Sequence, residues 1–519
     1  MNMKVLIVFP NTANWAVISM STPILAGIAK EKDWSVDYFD TFRYEQATDS
    51  TMEREKTGGV KPGLVKIQNV FFPMDQLVPD LQKTIDRVQP DIIAITALSH
   101  EFEFFMSFWH KIQKPPESLI IIGGIHATIK SEEVIKTGSF DLVCIGEGEW
   151  TFAEILDRCS KEGQRIDNIP STLYLNRDTG EITRNQRRPS IGSGELWKVK
   201  NDYSMYDDVY YLAPFDGKII RRFIFETARG CPYSCSYCGN TALKEINAGL
   251  GKHVMVRPMD SIFEQLKESV TNKKIDVFLF ADECFLAKPT AWLEEFAERY
   301  REIALPFIIQ TRPESISTRN IEILKSAGAP LFQVSLGVES GTERILFDIC
   351  NRKSEVEMIR NAFAILHQQQ VRNSAFFMVG FPTETRLEIF KTIELCRHIR
   401  PSFVSVSIYQ PLPGQKLTSE CIRKGYITGE EPLAIFTSSS VLKMPSIAPE
   451  EIANLRRTFA LYYYLPKEYF PDIGKCERDQ DNEELFGQLV NLRWKLADDP
   501  NYVPALYKAE DMIRWSRSV

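Results

Sequence analysis

Several things are missing from this sequence, and each absence narrows the field. No apolar run approaches the roughly 18 residues or more that a membrane helix needs. The longest runs, 119–124 and 277–281, are strand-sized. The opening MNMKVLIVFPNTANW has too short an apolar stretch for a signal peptide and is broken by Pro10 and Asn11, so a first strand and a cytoplasmic location are expected. There is no surplus of positive charge: 62 Lys and Arg stand against 69 Asp and Glu, for a net charge of −7. That argues against a general nucleic-acid binder. No GxGxxG follows the first strand and no Walker loop occurs, which removes the usual dinucleotide and nucleotide signatures. No short internal repeat is present.

Cysteine is present but unevenly spread. Ten cysteines stand at 144, 159, 231, 235, 238, 284, 350, 396, 421 and 476, and a large reduced protein needs no disulfide framework. Three of them, Cys231, Cys235 and Cys238, fall within eight residues of ETARGCPYSCSYCGN (226–240). A structural zinc site takes four ligands, usually as two pairs. No second pair exists, and the nearest histidine, His253, stands alone. Three thiolates suit an iron–sulfur cluster with one iron left open. An open iron can chelate a small molecule through an amine and a carboxylate and pass it an electron at low potential. Zinc and inert burial stay open as rival readings. Cys350, Cys396, Cys421 and Cys476 have no ligand spacing, so one cluster is expected.

The rest of the 519-residue chain alternates strand and helix patterns twice. Unbroken apolar strands at 4–9, 91–96, 119–123 and 142–145, with helices between, predict an α/β, doubly wound parallel domain over 1–160. Its ligand crevice belongs at the carboxyl ends of the strands. Residues 41–72 read as a polar insertion. Residues 161–215 read as a linker containing a small hairpin at 171–185. Strands at 222–227, 277–280, 307–311, 331–337, 375–380 and 403–408 then alternate with helices, which predicts a partial, open (β/α)6 TIM-like barrel over 216–426. The region 427–519 reads as helical, most clearly at 449–464.

The Cys-x3-Cys-x2-Cys loop after the first barrel strand resembles the radical S-adenosylmethionine (SAM) signature. That resemblance implies one 4Fe–4S cluster on Cys231, Cys235 and Cys238, with SAM cleaved reductively to a 5′-deoxyadenosyl radical. Tyr237 matches the family's aromatic near the SAM adenine. FLFADECF (278–285) resembles the position of the Gly-Gly-Glu motif but lacks its glycines; Glu283 would face the SAM amine. Gln310 and Arg312 end the third strand, and Arg312 would pair with the SAM carboxylate. Glu339 and Ser340, in SLGVESG, would reach the ribose or methionine part. Gly380, in FFMVGFPTET, lies near where the family's backbone contacts adenine. Cys284 is a candidate radical relay, a substrate contact or a small core residue. Taken singly, acids and glycines at strand ends are also ordinary loop chemistry.

The first domain, placed ahead of such a barrel, resembles the cobalamin-binding subfamily, as a Rossmann-like cobalamin domain. The resemblance covers roughly 1–425. It rests on Gly123, Gly124, His126 and Thr128, on the Gly146-Glu147-Gly148-Glu149 turn, and on Thr96 and Leu98 in TALS. Glycines at such points let backbone approach a ligand closely. The Asp-x-His-x-x-Gly of base-off cobalamin domains is absent, since 11–23 holds no histidine. Either the lower face of cobalt is free of protein histidine, as the subfamily allows, or cobalamin is not bound. His126 either touches the corrin or orders its loop.

The resemblance implies a cobalamin-dependent radical SAM methyltransferase acting at an unactivated carbon of a small-molecule substrate, with a ferredoxin or flavodoxin as donor. Ring closure, ring contraction or oxidation without methyl transfer is the second reading. A radical SAM enzyme whose first domain has lost cobalamin and only positions substrate is the third, and a cofactor-binding sensor without turnover is the alternative of another class.

Overall fold

The computed structural model describes residues 3–13, 16–45, 50–59, 61, 71–160, 165–196, 198–215, 218–434 and 436–518. Two seven-stranded sheets organise it. The first contains β1 (Lys4–Phe9), β2 (Ser35–Asp40), β3 (Ile92–Thr96), β4 (Leu119–Gly123), β5 (Leu142–Cys144), β6 (Thr172–Leu175) and β7 (Ile182–Arg184), in the order β2-β1-β3-β4-β5-β6-β7. β1 to β5 are parallel. Leu6, Val8, Ile93 and Ile95 face one helical layer, and Val5, Ile7, Ile92 and Ala94 face the other. Apolar residues at every position are what two covered faces require. The strand order reverses between β1 and β3, which is where a doubly wound sheet opens its crevice.

The hairpin expected in a linker is part of this sheet. β6 runs antiparallel to β5, with Leu142 opposite Tyr174, and β7 closes the edge. Leu173 is buried in the core, and burying it needs a sheet neighbour rather than a free ribbon. Much of the 41–72 insertion (46–49, 60 and 62–70) lies outside the described residues; the described part includes a short helix, Ser50–Lys56.

The second sheet contains β8 (Leu212–Phe215), β9 (Lys218–Phe225), β12 (Val277–Phe280), β13 (Phe307–Thr311), β14 (Phe332–Glu339), β15 (Arg372–Val379) and β16 (Phe403–Ile408), in the order β16-β15-β14-β13-β12-β9-β8. Its last six strands in sequence are parallel, and β8 pairs antiparallel with β9. This is a curled half-barrel, open because β16 and β8 are both edges. Between β9 and β12, β10 (Ala228–Arg229) and β11 (Met255–Val256) form a two-residue antiparallel ribbon. The ribbon clips shut the loop that carries the three cysteines.

Phe278, Phe280, Phe307, Ile309, Val334, Leu336, Phe377 and Val379 point to the helical layer and make the main core. Their alternates on the concave face are mixed: Leu279, Ile308, Phe376 and Met378 share it with a polar row in which Gln310 pairs beside Ser335 and Ser335 beside Ser374. A filled TIM barrel lines this face with bulky branched residues throughout; here polar side chains interrupt it across β13, β14 and β15. The helical C-terminal region packs outside β15 and β16 through Pro449–Tyr464, where Phe459 meets Phe377. Among the described residues no helix is long and apolar enough to cross a membrane.

Candidate active site between the two sheets

A cavity of about 570 Å³ lies where the carboxyl ends of both sheets meet, a size ordinary for a ligand site. From the first domain it is lined by Thr96, Leu98, Gly123, Gly124 and the 146–149 turn. From the barrel it is lined by Glu226, Arg229, Cys238, Asn240 and Glu283. A larger groove of about 800 Å³, lined by Lys30, Lys200, Arg257 and Glu264, touches none of the three clustered cysteines.

The glycines of the first domain are required by geometry at two points. Gly124 has φ +99°, and a Cβ there would lie 2.8 Å from the Ala97 carbonyl oxygen. Gly146 has φ +86°, and a Cβ would meet the Arg187 guanidinium at 2.5 Å. Gly148 opens to free space. Leu98 is 49% exposed, an apolar side chain presented to the cavity. Thr96 shares a hydrogen bond with Ser21 at 3.0 Å. His126 does not line the cavity. It stacks on Phe102 at 4.3 Å, contacts Ser99 Oγ at 3.0 Å, and burial lowers it to about 4. It is a neutral ring that orders the loop. His100 does line the cavity and reaches the Ala434 carbonyl at 3.0 Å.

On the barrel side the cysteine loop is held at both ends. Arg257 N–H donates to the Thr227 carbonyl at 2.8 Å, and Cys238 stands at the N-cap position of the helix Gly239–Ile246, without a capping bond from its side chain. A helix N-terminus favours a thiolate. Arg312 Nη1 donates to Cys235 Sγ at 3.4 Å. Without metal, burial pushes Cys231 up to about 11 and raises Cys238; a thiophilic metal is what draws such protons off. All ten cysteines are free. Among the described residues no three His, Cys, Asp or Glu side chains converge on a single metal ion. A cluster does not ask for convergence, because each thiolate takes a different iron. The donor set fits a three-thiolate cluster better than zinc.

The remaining predicted residues divide. Glu283 sits beside the loop, accepting from Asn240 Nδ2 at 3.5 Å, and burial raises its carboxyl. The Tyr237 ring meets Phe381 edge-on at 5.8 Å, which brings it to Gly380 at the end of β15. Gln310 is exposed on the concave face. Glu339, at φ +68°, is tied to Arg352 at 3.0 Å. Ser340 is fully buried, with its hydroxyl near Thr342 and Thr392, turned away from the cavity. Cys284 is buried against Thr311 Oγ1 at 3.3 Å, a small core residue that does not line the cavity. Arg312 does not stand ready for a carboxylate ligand: Glu314 Oε1 takes its Nη2 at 2.6 Å.

Sequence reading missed the charges that support these groups. Arg352, 2% exposed, joins Glu339, Glu314 and the Gly337 carbonyl. Arg229 bridges the domains to Glu149 at 2.7 Å, beside Glu226, which burial raises to about 7. Glu149, Glu226 and Arg229 lie inside the glycine turn and the cysteine segment, but nothing local pairs them across the domains, and Arg352 belongs to no spaced motif. The one available signal was that charged residues cluster next to apolar strand ends.

Glu384 yields a pH prediction. It is fully buried, and Oε2 accepts from the N–H groups of Gly380 at 2.6 Å and Phe381 at 3.1 Å, while Oε1 has no partner. Burial lifts it from 4.5 to about 8. Between those values the folded chain keeps a proton that the unfolded chain has shed, so stability falls as pH rises through the window. Glu384→Gln removes the titration. It is expected to flatten this slope and to exceed the parent above about pH 8 by about 1–3 kcal/mol; urea unfolding midpoints across the window check it.

The comparisons agree with this geometry. The radical SAM superfamily matches residues 225–396, and the B12 binding domain matches residues 65–156. An uncharacterized methyltransferase of Pyrococcus horikoshii is 24% identical over 77% of this chain and 84% of its own length. The anaerobic magnesium-protoporphyrin IX monomethyl ester cyclase of Rubrivivax gelatinosus is 23% identical over 68% of this chain, which spans only 63% of that relative. The radical SAM methyltransferase TsrM of Kitasatospora setae, solved with cobalamin and a [4Fe-4S] cluster, shares the fold: TM-score 0.61 and 14% identity, over 96% of this chain and 90% of that one. The chain thus carries a B12-binding domain ahead of a radical SAM half-barrel, with a cavity between them, and its cofactors are a 4Fe–4S cluster, SAM and cobalamin.

Proposed function

We propose that the protein methylates an unactivated carbon of a small-molecule substrate. The observation that carries the reading is a cavity lined both by the glycine turns of the first domain and by Cys238, Asn240 and Glu283 of the barrel. When bound, the cluster with SAM supplies a hydrogen-abstracting radical, and cobalamin supplies a transferable methyl. Everything else is done by the chain. Cys231, Cys235 and Cys238 hold the cluster, Glu283 faces the SAM amine, and Tyr237 with Gly380 bounds the adenine. Gln310 and Glu339 flank the methionine and ribose side, and Ser340 supports their turn from behind. Thr96, Leu98, Gly123, Gly124, Gly146, Glu147 and Gly148 cradle the corrin. Leu412, Pro413 and Phe436 wall the cavity and keep water from the reacting carbon. Fixing both carriers around one volume supplies effective concentration.

The reading includes a low-potential ferredoxin or flavodoxin as donor and a cytoplasmic setting, for which ten unpaired cysteines are suited. It divides the chain at about 160, 215 and 426, with the hairpin 172–184 assigned to the first unit. The likeness to the ester cyclase favours a second reading, ring closure without methyl transfer. Anaerobic protein supplied with SAM, cobalamin, reductant and candidate extracts decides between them. Methylation gives a product heavier by one CH2 together with S-adenosylhomocysteine; ring closure gives 5′-deoxyadenosine without that mass. No SAM cleavage at all would leave a sensor.

The glycine cradle gives a separate check. Gly124→Ala forces a side chain into positive φ and against Ala97, at about 1–3 kcal/mol. Cobalamin affinity is expected to fall about tenfold for each 1.4 kcal/mol taken from the bound geometry. Absorbance titration of cobalamin reads it; unchanged affinity removes Gly124 from the site.

A further inference from the structure

Arg312 is placed by the end of β13 so that its guanidinium lies 3.8 Å from the centre of the Tyr233 ring. Nη1 donates to Cys235 Sγ at 3.4 Å. Nη2 and Nε donate to Glu314 at 2.6 and 3.3 Å. Glu314 also takes Arg352 Nη2 at 3.3 Å and the Ser354 hydroxyl. Arg352 in turn holds Glu339 at 3.0 Å and lies 3.4 Å from the Tyr237 hydroxyl. The row therefore alternates in sign, Arg312, Glu314, Arg352, Glu339, and its positive end touches the sulfur. All four side chains are at least 86% buried, by exposures of 11%, 14%, 1% and 13%. Charges in such surroundings act on one another far more strongly than in water.

We propose that Arg312 sets the reduction potential of the cluster by donating to the sulfur of Cys235, with Glu314 as the counter-charge that moderates it. The proposal rests on the cluster assignment above. Reduction adds one electron, so a nearby cation stabilises the reduced form more than the oxidised form. Hydrogen bonds to cluster sulfurs and local charge are known levers on potential. Arg312 acts through Cys235 and is a positioning and tuning residue, not a catalytic one. Its role as a clamp on the SAM carboxylate, expected from sequence, is displaced by the contacts it already makes. The stacked Tyr233 ring and the Glu314 fork fix the guanidinium's orientation, which a lysine could not reproduce.

The test uses the full chain, reconstituted with iron and sulfide under anaerobic conditions and titrated with reductant while the reduced cluster is followed by electron paramagnetic resonance. No SAM or substrate is needed. In Arg312→Met, the reduced-to-oxidised ratio at the parent's midpoint is expected to fall about tenfold, about 59 mV for a one-electron couple. In Glu314→Gln, the ratio is expected to move the other way, because the cation at the sulfur loses its counter-charge. A purely structural role predicts no such opposition of sign. If the methionine variant loses its cluster, Arg312→Lys and Glu314→Gln decide: lysine keeps the charge without the fork and is expected to fall between the parent and methionine. Midpoints that do not move, or that move in the same direction in both variants, overturn the proposal. So does an unmoved midpoint in Arg312→Met accompanied by a large loss of SAM affinity, which would restore the clamp. A parent protein that takes up iron and gives no cluster signal sinks the cluster assignment itself, a different failure.

Discussion

Replacing any one of Cys231, Cys235 or Cys238 with alanine is expected to leave a folded chain that retains neither cluster iron nor SAM cleavage. The loss of 5′-deoxyadenosine formation should be about a thousandfold or more, because no side chain substitutes for chemistry that the cofactor supplies. The three positions are partly exposed, so little apolar burial is lost and the unfolding midpoint should barely move. The controls are the buried cysteines. Cys396→Ala and Cys476→Ala remove core sulfur and cost stability, yet should keep full iron, since both lie in the helical core away from the loop. Iron and sulfide are measured together: iron with acid-labile sulfide identifies a cluster, whereas bound zinc without sulfide restores the mononuclear site that sequence left open. A chain lacking one of the three thiols that still cleaves SAM would remove the loop from the chemistry.

How much of this was legible in sequence follows from the kind of constraint involved. The cysteine loop was legible because three ligands of one cluster must come from one tight turn, so their spacing survives in the chain. The parallel strands were legible because two covered faces demand unbroken apolar runs such as LIIIG at 119–123. The glycine turns were legible where backbone must pass close, as at Gly124. Roles assigned by strand-end position alone fared unevenly. Arg312 and Ser340 sit at the ends of neighbouring strands, yet one turns to a sulfur and the other is sealed behind Thr392. Position in a barrel fixes where a residue starts; the partners it meets decide where its side chain goes. Those partners, Glu314 and Arg352, are 38 residues apart in the chain, and no local pattern records such a pair. The hairpin 172–184 was assigned to a linker for the same reason, because its pairing with β5 is a long-range fact.

The buried pair Asp282–Lys288 leads to the second large effect. Both side chains are almost wholly enclosed, at 2% and 4% exposure. Asp282 Oδ1 accepts from the Thr227 N–H at 2.6 Å and the Ala228 N–H at 3.3 Å, while Oδ2 takes the Thr227 hydroxyl and the Lys288 ammonium. Lys288 also donates to the Phe285 carbonyl at 3.2 Å and lies over the Phe285 and Trp292 rings at 4.2 and 4.6 Å. Thr227 and Ala228 begin the segment that leads to Cys231, so this aspartate anchors the root of the cysteine loop. Lys288→Met strands a buried carboxylate and is expected to cost about 3–5 kcal/mol, read as a shift in denaturant midpoint. The double variant, Lys288→Met with Asp282→Leu, removes both charges and should recover part of that stability, since no charge is left stranded, less about 1–3 kcal/mol for the buried donors that lose their acceptor. It should not recover iron retention, because the Thr227 and Ala228 N–H groups then have no acceptor and the loop root is free to shift. Stability and cluster retention would thus separate in one protein. If iron returns together with stability in the double variant, the pair serves only the core, and the anchoring role assigned to Asp282 is wrong.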